Sequence, residues 1–461
     1  MRTAAVVFLI SLLAAGPVAG DEGELDTARF HPPAGYFTGP ELDFWTTGLL
    51  LDDLTVTRPA ILAGSGDDDW AAFAYTHPPD FPLTWQVVTR TGQLPPCSVT
   101  FPGASFFPAD VGLDRSDRLV VTGSVYYSGS GFLGFVARFL IPSCTLDASF
   151  DGDGYFTFDH ADDVLLRRLG FVEVGSFPFT SEKIVLAGAL SGSGPSPVDA
   201  LLLRLDPDGS LDGDFGGGDG IVIADWAGEN NHLVDLLIDP EDRILVAGVV
   251  GPDGGGIAWD AMVARFEPDG DVDPTFGIGG WRRFHQGTSA GADTVAALLQ
   301  AGNGDLYLVG ESRPQSGTDR IVVTRLDAFL TSQSYPLGGS STVNGAVIEG
   351  DRRLVVYGRT DRLGGGDQLY TMARRLPGLE IDPEYNDLSD FDPLTYVTVG
   401  PPGLEDLRAA PGIRVTTTGR PMVAAFAGSD SIGEAAPLLL RLTSSLLFAD
   451  GFETGSTASW P

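Results

Sequence analysis

Residues Glu241 to Trp281 read EDRILVAGVVGPDGGGIAWDAMVARFEPDGDVDPTFGIGGW, and three signals in this stretch decide the fold. A short apolar run ends in glycine (Ile244 to Gly248), and a second ends in Arg-Phe (Met262 to Phe266). An acidic turn carrying D-x-x-F and glycines follows (Glu267 to Gly280). Each run is short, β-rich and bounded by Gly, Pro and Asp, which predicts strands joined by turns. Four strands are expected here: His232 to Ile238, Ile244 to Val250, Ala261 to Phe266 and the run after Gly280, each too short for a stable helix.

The rest of the chain repeats this unit in degraded form. The glycine that closes the first run recurs as Gly64, Gly123, Gly188, Gly248, Gly310 and Gly358, with Ala425 in the seventh place, at intervals of 59, 65, 60, 62, 48 and 67 residues. The arginine of the second run gives an independent register: Arg138, Arg204, Arg265, Arg325, Arg374 and Arg441 follow their anchors by 15, 16, 17, 15, 16 and 16 residues. In the first copy the matching Arg90 comes 26 residues after Gly64, which reads as an insertion carrying Asp67, Asp68, Asp69 and Trp70.

Seven copies of a four-stranded antiparallel unit predict an all-β fold, a seven-bladed β-propeller, because a single blade cannot bury its own faces and must stack on its neighbours. The chain ends are expected to close the ring. LDTARFHPPAGYFT (Leu25 to Thr38) matches LDASFDGDGYFT (Leu146 to Thr157), the part of a copy that follows the arginine strand, while the last copy stops just after Arg441 and Leu442. A strand near Tyr36 therefore completes the seventh blade and removes an open edge.

Outside the repeats, Arg2, the apolar Ala4 to Ala15 and small residues to Gly20 have the layout of a secretory signal peptide, so residues 1–20 are set apart from the propeller at 21–445 and a tail at 446–461. No later apolar run approaches a membrane span. The 28 Lys and Arg against 62 Asp and Glu leave a net charge of −34, which disfavours nucleic acid and anionic lipid as partners. Lys183 is the single lysine of the chain and reads as a compositional habit rather than a site. Cys97 (LPPCSVTF) and Cys144 (IPSCTLDASF) have similar contexts in an exported chain, where disulfides persist. Whether they pair is left open, since matching positions in successive repeats can lie too far apart.

DPDGSLDGDFGGGDG (Asp206 to Gly220) and EPDGDVDPTFGIGG (Glu267 to Gly280), preceded by VLAG or LVAG and by LLRL or VARF, resemble the delta-60 repeat of secreted and surface-associated bacterial proteins. The resemblance covers roughly Leu25 to Leu442 and is poor in the fifth copy, where Leu326 to Gly339 lacks the D-G and D-x-x-F elements. The last residues, LLFADGFETGSTASWP (Leu446 to Pro461), resemble a short D-G-F-E-S-G tail of exported proteobacterial proteins. The first resemblance implies a propeller-like fold with no assigned chemistry, and the second implies export.

Candidate site residues are few. GTSAG (Gly287 to Gly291) is formally a G-x-S-x-G with Ser289 as nucleophile, followed by ADTVAALLQA. The matching GENNHLVDLLID of the preceding copy reads as a turn feeding a strand, so no hydrolase is inferred. His31, His77, His160, His232 and His285 show no metal-ligand spacing. The clusters Asp67 to Asp69, Asp151 with Asp153, and Asp206 with Asp208 are calcium candidates, because hard cations take several oxygens and Gly lets backbone carbonyls join. The same D-G and P-D-G strings are ordinary turn formers. The matched arginines pair with the acids of the D-x-x-F elements (Asp147, Asp212, Asp273, Asp382) or form a ring for an anion; the first reading is preferred, since a residue repeated in every blade serves the blade.

The expectation is a monomeric, non-catalytic, secreted or cell-surface binding or scaffold module with a protein or glycan partner at the cell envelope. Trp70 and Trp259, on the irregular loops Ser65 to Pro82 and Gly251 to Trp259, are its ligand-binding candidates. A polysaccharide-active enzyme and a structural surface or adhesion protein are the alternatives.

Overall fold

The computed structural model describes residues 36–38, 55–63, 69–76, 83–89, 92–93, 97–176, 179–192, 198–252, 259–284, 292–313, 319–326, 331–336, 341–349, 353–360, 368–376, 378–381, 395–397, 406–415, 421–429 and 434–441. No helix occurs among them, and their strands form antiparallel sheets of four or five strands. In the fourth repeat the strands are Asn230–Ile238, Ile244–Gly251, Asp260–Phe266 and Trp281–Phe284, paired in that order.

The described strands group into seven such sheets, here numbered by the order of their inner strands. These are Thr55–Ala63, Ala104–Leu113, Asp163–Ser176, Asn230–Ile238, Ala292–Gln300, Ser341–Glu349 and Asp406–Val415. Each inner strand lies against the next, and Asp406–Val415 also lies against Thr55–Ala63. The core is correspondingly found between sheets rather than within one. Val185, Leu202 and Phe215 of sheet 3 pack with Val246, Met262 and Phe266 of sheet 4, all buried.

The anchor glycine has a steric reason. Gly248 faces Leu233 where the inner strand shifts register between Leu233 and Asp235, and a Cβ on Gly248 would fall inside the contact radius of the His232 carbonyl oxygen. Gly123 and Gly188 meet the carbonyls of Phe107 and Leu165 in the same way. A bulge next to close backbone approach is where a strand favours glycine.

This bulge corrects the alignment of the first copy. There the register shift lies between Thr57 and Pro59, and the residue facing Thr57 is Ala74 of Asp69–Thr76, the second strand of the sheet. Ala74, not Gly64, thus holds the anchor position, and Arg90 follows it by the usual 16 residues. With Ala74 as the anchor, no insertion is needed to place Arg90. The unbroken apolar run Pro59 to Ala63 looks like a second strand but belongs to the first, and periodicity cannot tell the two apart.

The arginine register is explained by a buried cluster. Arg204 Nε bonds Asp212 Oδ2 at 2.5 Å, its guanidinium lies 4.6 Å from the Phe215 ring centroid, and its Nη1 reaches the Pro268 carbonyl of the next sheet. Arg138 repeats this with Asp147 (2.8 Å), Phe150 (4.6 Å) and the Pro207 carbonyl (2.5 Å). Arg265 pairs with Asp273 (2.6 Å) over Phe276 (4.8 Å). The D-x-x-F element is therefore one acid and one ring for one arginine. Where the next copy keeps its P-D-G turn, that turn supplies a carbonyl.

A second cation often joins the cluster from five residues before the anchor. Lys183 stands there in sheet 3 and bonds Asp212 at 2.7 Å and Asp206 at 3.1 Å. Arg118 bonds Asp114 at 2.6 Å and Asp147 at 3.3 Å. The lone lysine thus has a structural post. Sheet 5 has lost its D-x-x-F acid, and the same position carries Asp305, which bonds Arg325 at 2.8 Å. Charge is exchanged between positions, and the ion pair survives.

Cys97 and Cys144 are joined by a disulfide with Cα atoms 4.5 Å apart. Cys97 lies on an outer strand of sheet 1 and Cys144 just before the short strand Thr145–Leu146 of sheet 2, so the bond ties adjacent sheets. They are not matching repeat positions, which is why they can meet. With the two cysteines 47 positions apart, reduction is expected to cost roughly 2–5 kcal/mol, read as a lower denaturant midpoint in dithiothreitol and abolished by Cys97→Ser.

Arg204 and Asp212 side chains are each 2% exposed. Removing one partner of such a pair strands a buried charge, so Arg204→Met should lower stability by about 3–5 kcal/mol. Arg115→Met, which breaks the half-exposed Arg115–Glu173 pair, should cost less than about 1 kcal/mol. Burial pushes the Asp212 carboxyl up, but bonds from Lys183, the Asp214 amide and Arg204 outweigh it and hold it below the ordinary value of 3.8. A depressed folded value means that this stability is complete above pH 3.8 and is lost as pH falls below it through the folded value. Urea titrations across pH 2 to 6 should show a smaller acid loss of stability in Arg204→Met than in the native chain.

Candidate binding face

Antiparallel alternation sends the connections of every sheet to two opposite ends. One end carries the turns between first and second strands (Asp114 to Arg118, Asp239 to Arg243) and the D-G turns between third and outer strands. The other carries the connections between second and third strands and those leading to the next sheet.

The aspartate candidates that can be described lie at the turn end. Asp151 donates its backbone N–H to the Asp208 carbonyl at 2.5 Å, which brings DGDG of sheet 2 against DPDG of sheet 3. Asp153 Oδ1 accepts from the Tyr155 amide (3.2 Å), Asp208 Oδ1 from Ser210 N and Oγ (3.1 and 2.7 Å), and Asp206 is bonded to Lys183. Gly209, at φ 93°, closes its turn onto Asp206. Burial first, then Asp153 and Asp208, raise the Asp151 carboxyl, whereas the Ser210 bonds lower Asp208. Among the described residues no three Asp, Glu, His or Cys side chains are grouped to hold a metal. Asp67 and Asp68 lie outside the described residues; Asp69 and Trp70 open a strand whose side chains are likewise outside them.

At the opposite end, Trp259 and His232 meet with ring centroids 5.2 Å apart at 62°. Sheet 2 holds the same arrangement. Phe107 and Phe132 lie 5.2 Å apart at 61°. These are equivalent positions: Phe132 and Trp259 each precede their arginine by six residues, while Phe107 and His232 each precede the residue that faces the anchor glycine. Tyr126 extends the first pair, 4.9 Å from Phe132, and Phe107 and Tyr126 are 49% and 37% exposed. Each pair is fixed to the following sheet, through Phe132 N to Asp163 Oδ1 (2.8 Å) and Asp293 N to the Trp259 carbonyl (2.8 Å). In sheet 3 the two positions hold Leu165 and Val198.

Sheet 3 presents carboxylates instead. Burial, then Asp225 and Asp162, raise the Asp199 carboxyl. In sheet 4 the matching Asp260 bonds Arg283 Nε at 2.5 Å; in sheet 3 the residue aligned with Arg283 is Ile223, so Asp199 lacks that guanidinium. His160 Nδ1 accepts from the Asp162 amide (3.1 Å) and its ring stacks on Phe158. Ser289 and His285 lie outside the described residues, as do His31 and His77; ADTVAALLQ is the strand Ala292–Gln300.

Inspection of single loops misses Phe107, Tyr126, Phe132 and Asp199. The offset of six before each arginine would have exposed the Phe132–Trp259 equivalence, but the partner ring depends on the bulge register.

Residues 182–215 and 241–276 match a family model described as "Domain of unknown function (DUF5122) beta-propeller". No curated protein matches the sequence. Solved structures similar to the chain include the GH93 alpha-L-arabinofuranosidase of Fusarium graminearum, at 13% identity and TM-score 0.40, over 73% of this chain and 91% of that one. The sialidase of Trypanosoma rangeli aligns at 10% identity and TM-score 0.39, over 88% of this chain and 58% of its own. A leech intramolecular trans-sialidase aligns at 10% identity and TM-score 0.39, over 86% and 69%.

Burial first, and then the Arg167 charge, hold the His232 imidazole below its ordinary value of 6.5. A ring neutral at pH 6.5 leaves Trp259 unquenched, so Trp259 emission should fall only below that pH. Comparing pH titrations of the native chain and His232→Gln, which should show no such step, checks this contact.

Proposed function

We propose that the chain is an exported, seven-bladed β-propeller of the delta-60 repeat kind that acts as a non-catalytic binding module at the cell envelope or outside the cell. Its ring is closed where Tyr36–Thr38 pairs with Glu434–Arg441 (Tyr36 opposite Leu440). The cyclic succession of inner strands supports this closure. Export rests on the leader-like residues 1–20 and the tail at 446–461.

The observation that carries binding is a division of labour between the two ends. At the turn end the repeated polar groups are engaged in holding sheet to sheet. The loop end varies from sheet to sheet, and at equivalent posts it exposes Phe107 in sheet 2 and holds the half-buried His232 and Trp259 in sheet 4. Loops on a rigid scaffold are where recognition is placed.

The test is sedimentation of the mature chain (residues 21–461) with washed envelopes of the expressing bacterium. The double variant Phe107→Ser/Trp259→Ser should lose at least tenfold in binding, while Ile278→Ser, 87% exposed at the turn end, should lose none. The reverse result would place the binding surface at the turn end and sink the proposal.

A polysaccharide-active enzyme is favoured by one observation, the Asp199 carboxyl raised beside Asp225 and Asp162. A carboxyl whose proton affinity is raised can serve as the acid of glycoside cleavage. Release of reducing ends from a polysaccharide panel, abolished in Asp199→Asn, would support it over simple binding.

A further inference from the structure

We infer that the loop end holds one extended carbohydrate site, running over sheet 3 from the Phe107–Phe132 pair to the His232–Trp259 pair, whose ligand is a neutral oligosaccharide. This inference rests on the binding reading above and narrows it to one ligand chemistry.

The two pairs share one geometry, 5.2 Å at 61° and 5.2 Å at 62°, on sheets separated by a single sheet. Such a match on alternate sheets suits a ligand with repeating units. Aromatic faces stack on the C–H faces of sugar rings, and Phe107, Tyr126 and Trp259 offer large apolar bodies at low entropic cost. Between the pairs, Asp162, Asp199 and Asp225 of sheet 3 supply acceptors for hydroxyl donors. Arg167, exposed on the inner strand of sheet 3 and close enough to depress His232, supplies donors. Donors and acceptors together beside aromatic rings match a polyhydroxylated ligand.

Charge sorts the rivals. A polyanion meets three carboxylates and a chain of net charge −34. A basic peptide would be drawn to the acids and rings, but it meets Arg167 before the second pair, with Arg283 beside Asp260 in the same sheet as Trp259. A neutral sugar chain meets no such conflict.

The probes are maltohexaose, cellohexaose and xylohexaose with their disaccharides, then polygalacturonate and a lysine decapeptide, titrated into the mature chain by calorimetry. At least one hexasaccharide should bind about tenfold or more tightly than its disaccharide, because one ligand that engages both pairs gains from each. Phe107→Ala and Trp259→Ala should each weaken that hexasaccharide about tenfold, with Phe107→Tyr and Trp259→Phe restoring most of it. Unchanged melting temperatures and native affinity in Ile278→Ser separate a lost contact from a lost fold.

Failure of every neutral hexasaccharide to bind at millimolar concentration overturns the inference. So does binding that ignores both alanine variants, or tighter binding of the lysine decapeptide or polygalacturonate. If these failures occur while envelope binding still depends on Phe107 and Trp259, the binding module stands and only its carbohydrate ligand falls.

Discussion

The arginine that ends the third strand, buried in sheets 2 and 3, is the constraint on which the rest depends. An arginine 2% exposed, such as Arg204, needs an anion, a face to lie on and acceptors for its remaining N–H groups. Asp212, Phe215 and the Pro268 carbonyl meet those needs, and the last belongs to the next sheet. Burial of one charge therefore ties two repeats together. Apolar packing between sheets tolerates sliding; a guanidinium aimed at a particular carbonyl does not, so the cluster adds orientation to the burial that drives association.

The same constraint explains why the turn strings look so regular. P-D-G keeps its proline because that residue's carbonyl receives the preceding arginine, and keeps its glycine because the turn requires positive φ, as Gly209 and Gly270 show. In sheet 5 the acid has moved to Asp305 and the string has dissolved, yet Arg325 is still paired. What persists through divergence is the ion pair rather than the letters that encode it. The loop end carries no such requirement, and it is there that the equivalent posts vary: Phe132, Val198, Trp259 and Asp319.

Much of the fold was legible. The four strands around Gly248 come within two residues of their expected bounds, and Arg138, Arg204 and Arg265 meet the acids named for them. The first copy departs from the expected alignment because an apolar run before Gly64 imitates a second strand. Only the bulge facing Ala74 shows which strand it is. The candidate face was legible through Trp259 alone, since its partner His232 lies 27 residues away in sequence and meets it through pairing with a shared second strand.

By itself the sequence determined the period, the antiparallel unit, the arginine–aspartate pairing and a net negative charge. These follow from local alternation, turn chemistry and charge, all of which act over a few residues. Only the tertiary structure decided that Cys97 meets Cys144, that Arg138 and Arg204 reach the following sheet, and that Phe107–Phe132 and His232–Trp259 are one arrangement used twice. Those contacts join residues dozens of positions apart, and their geometry is set by how one sheet stacks on the next, which no local pattern encodes.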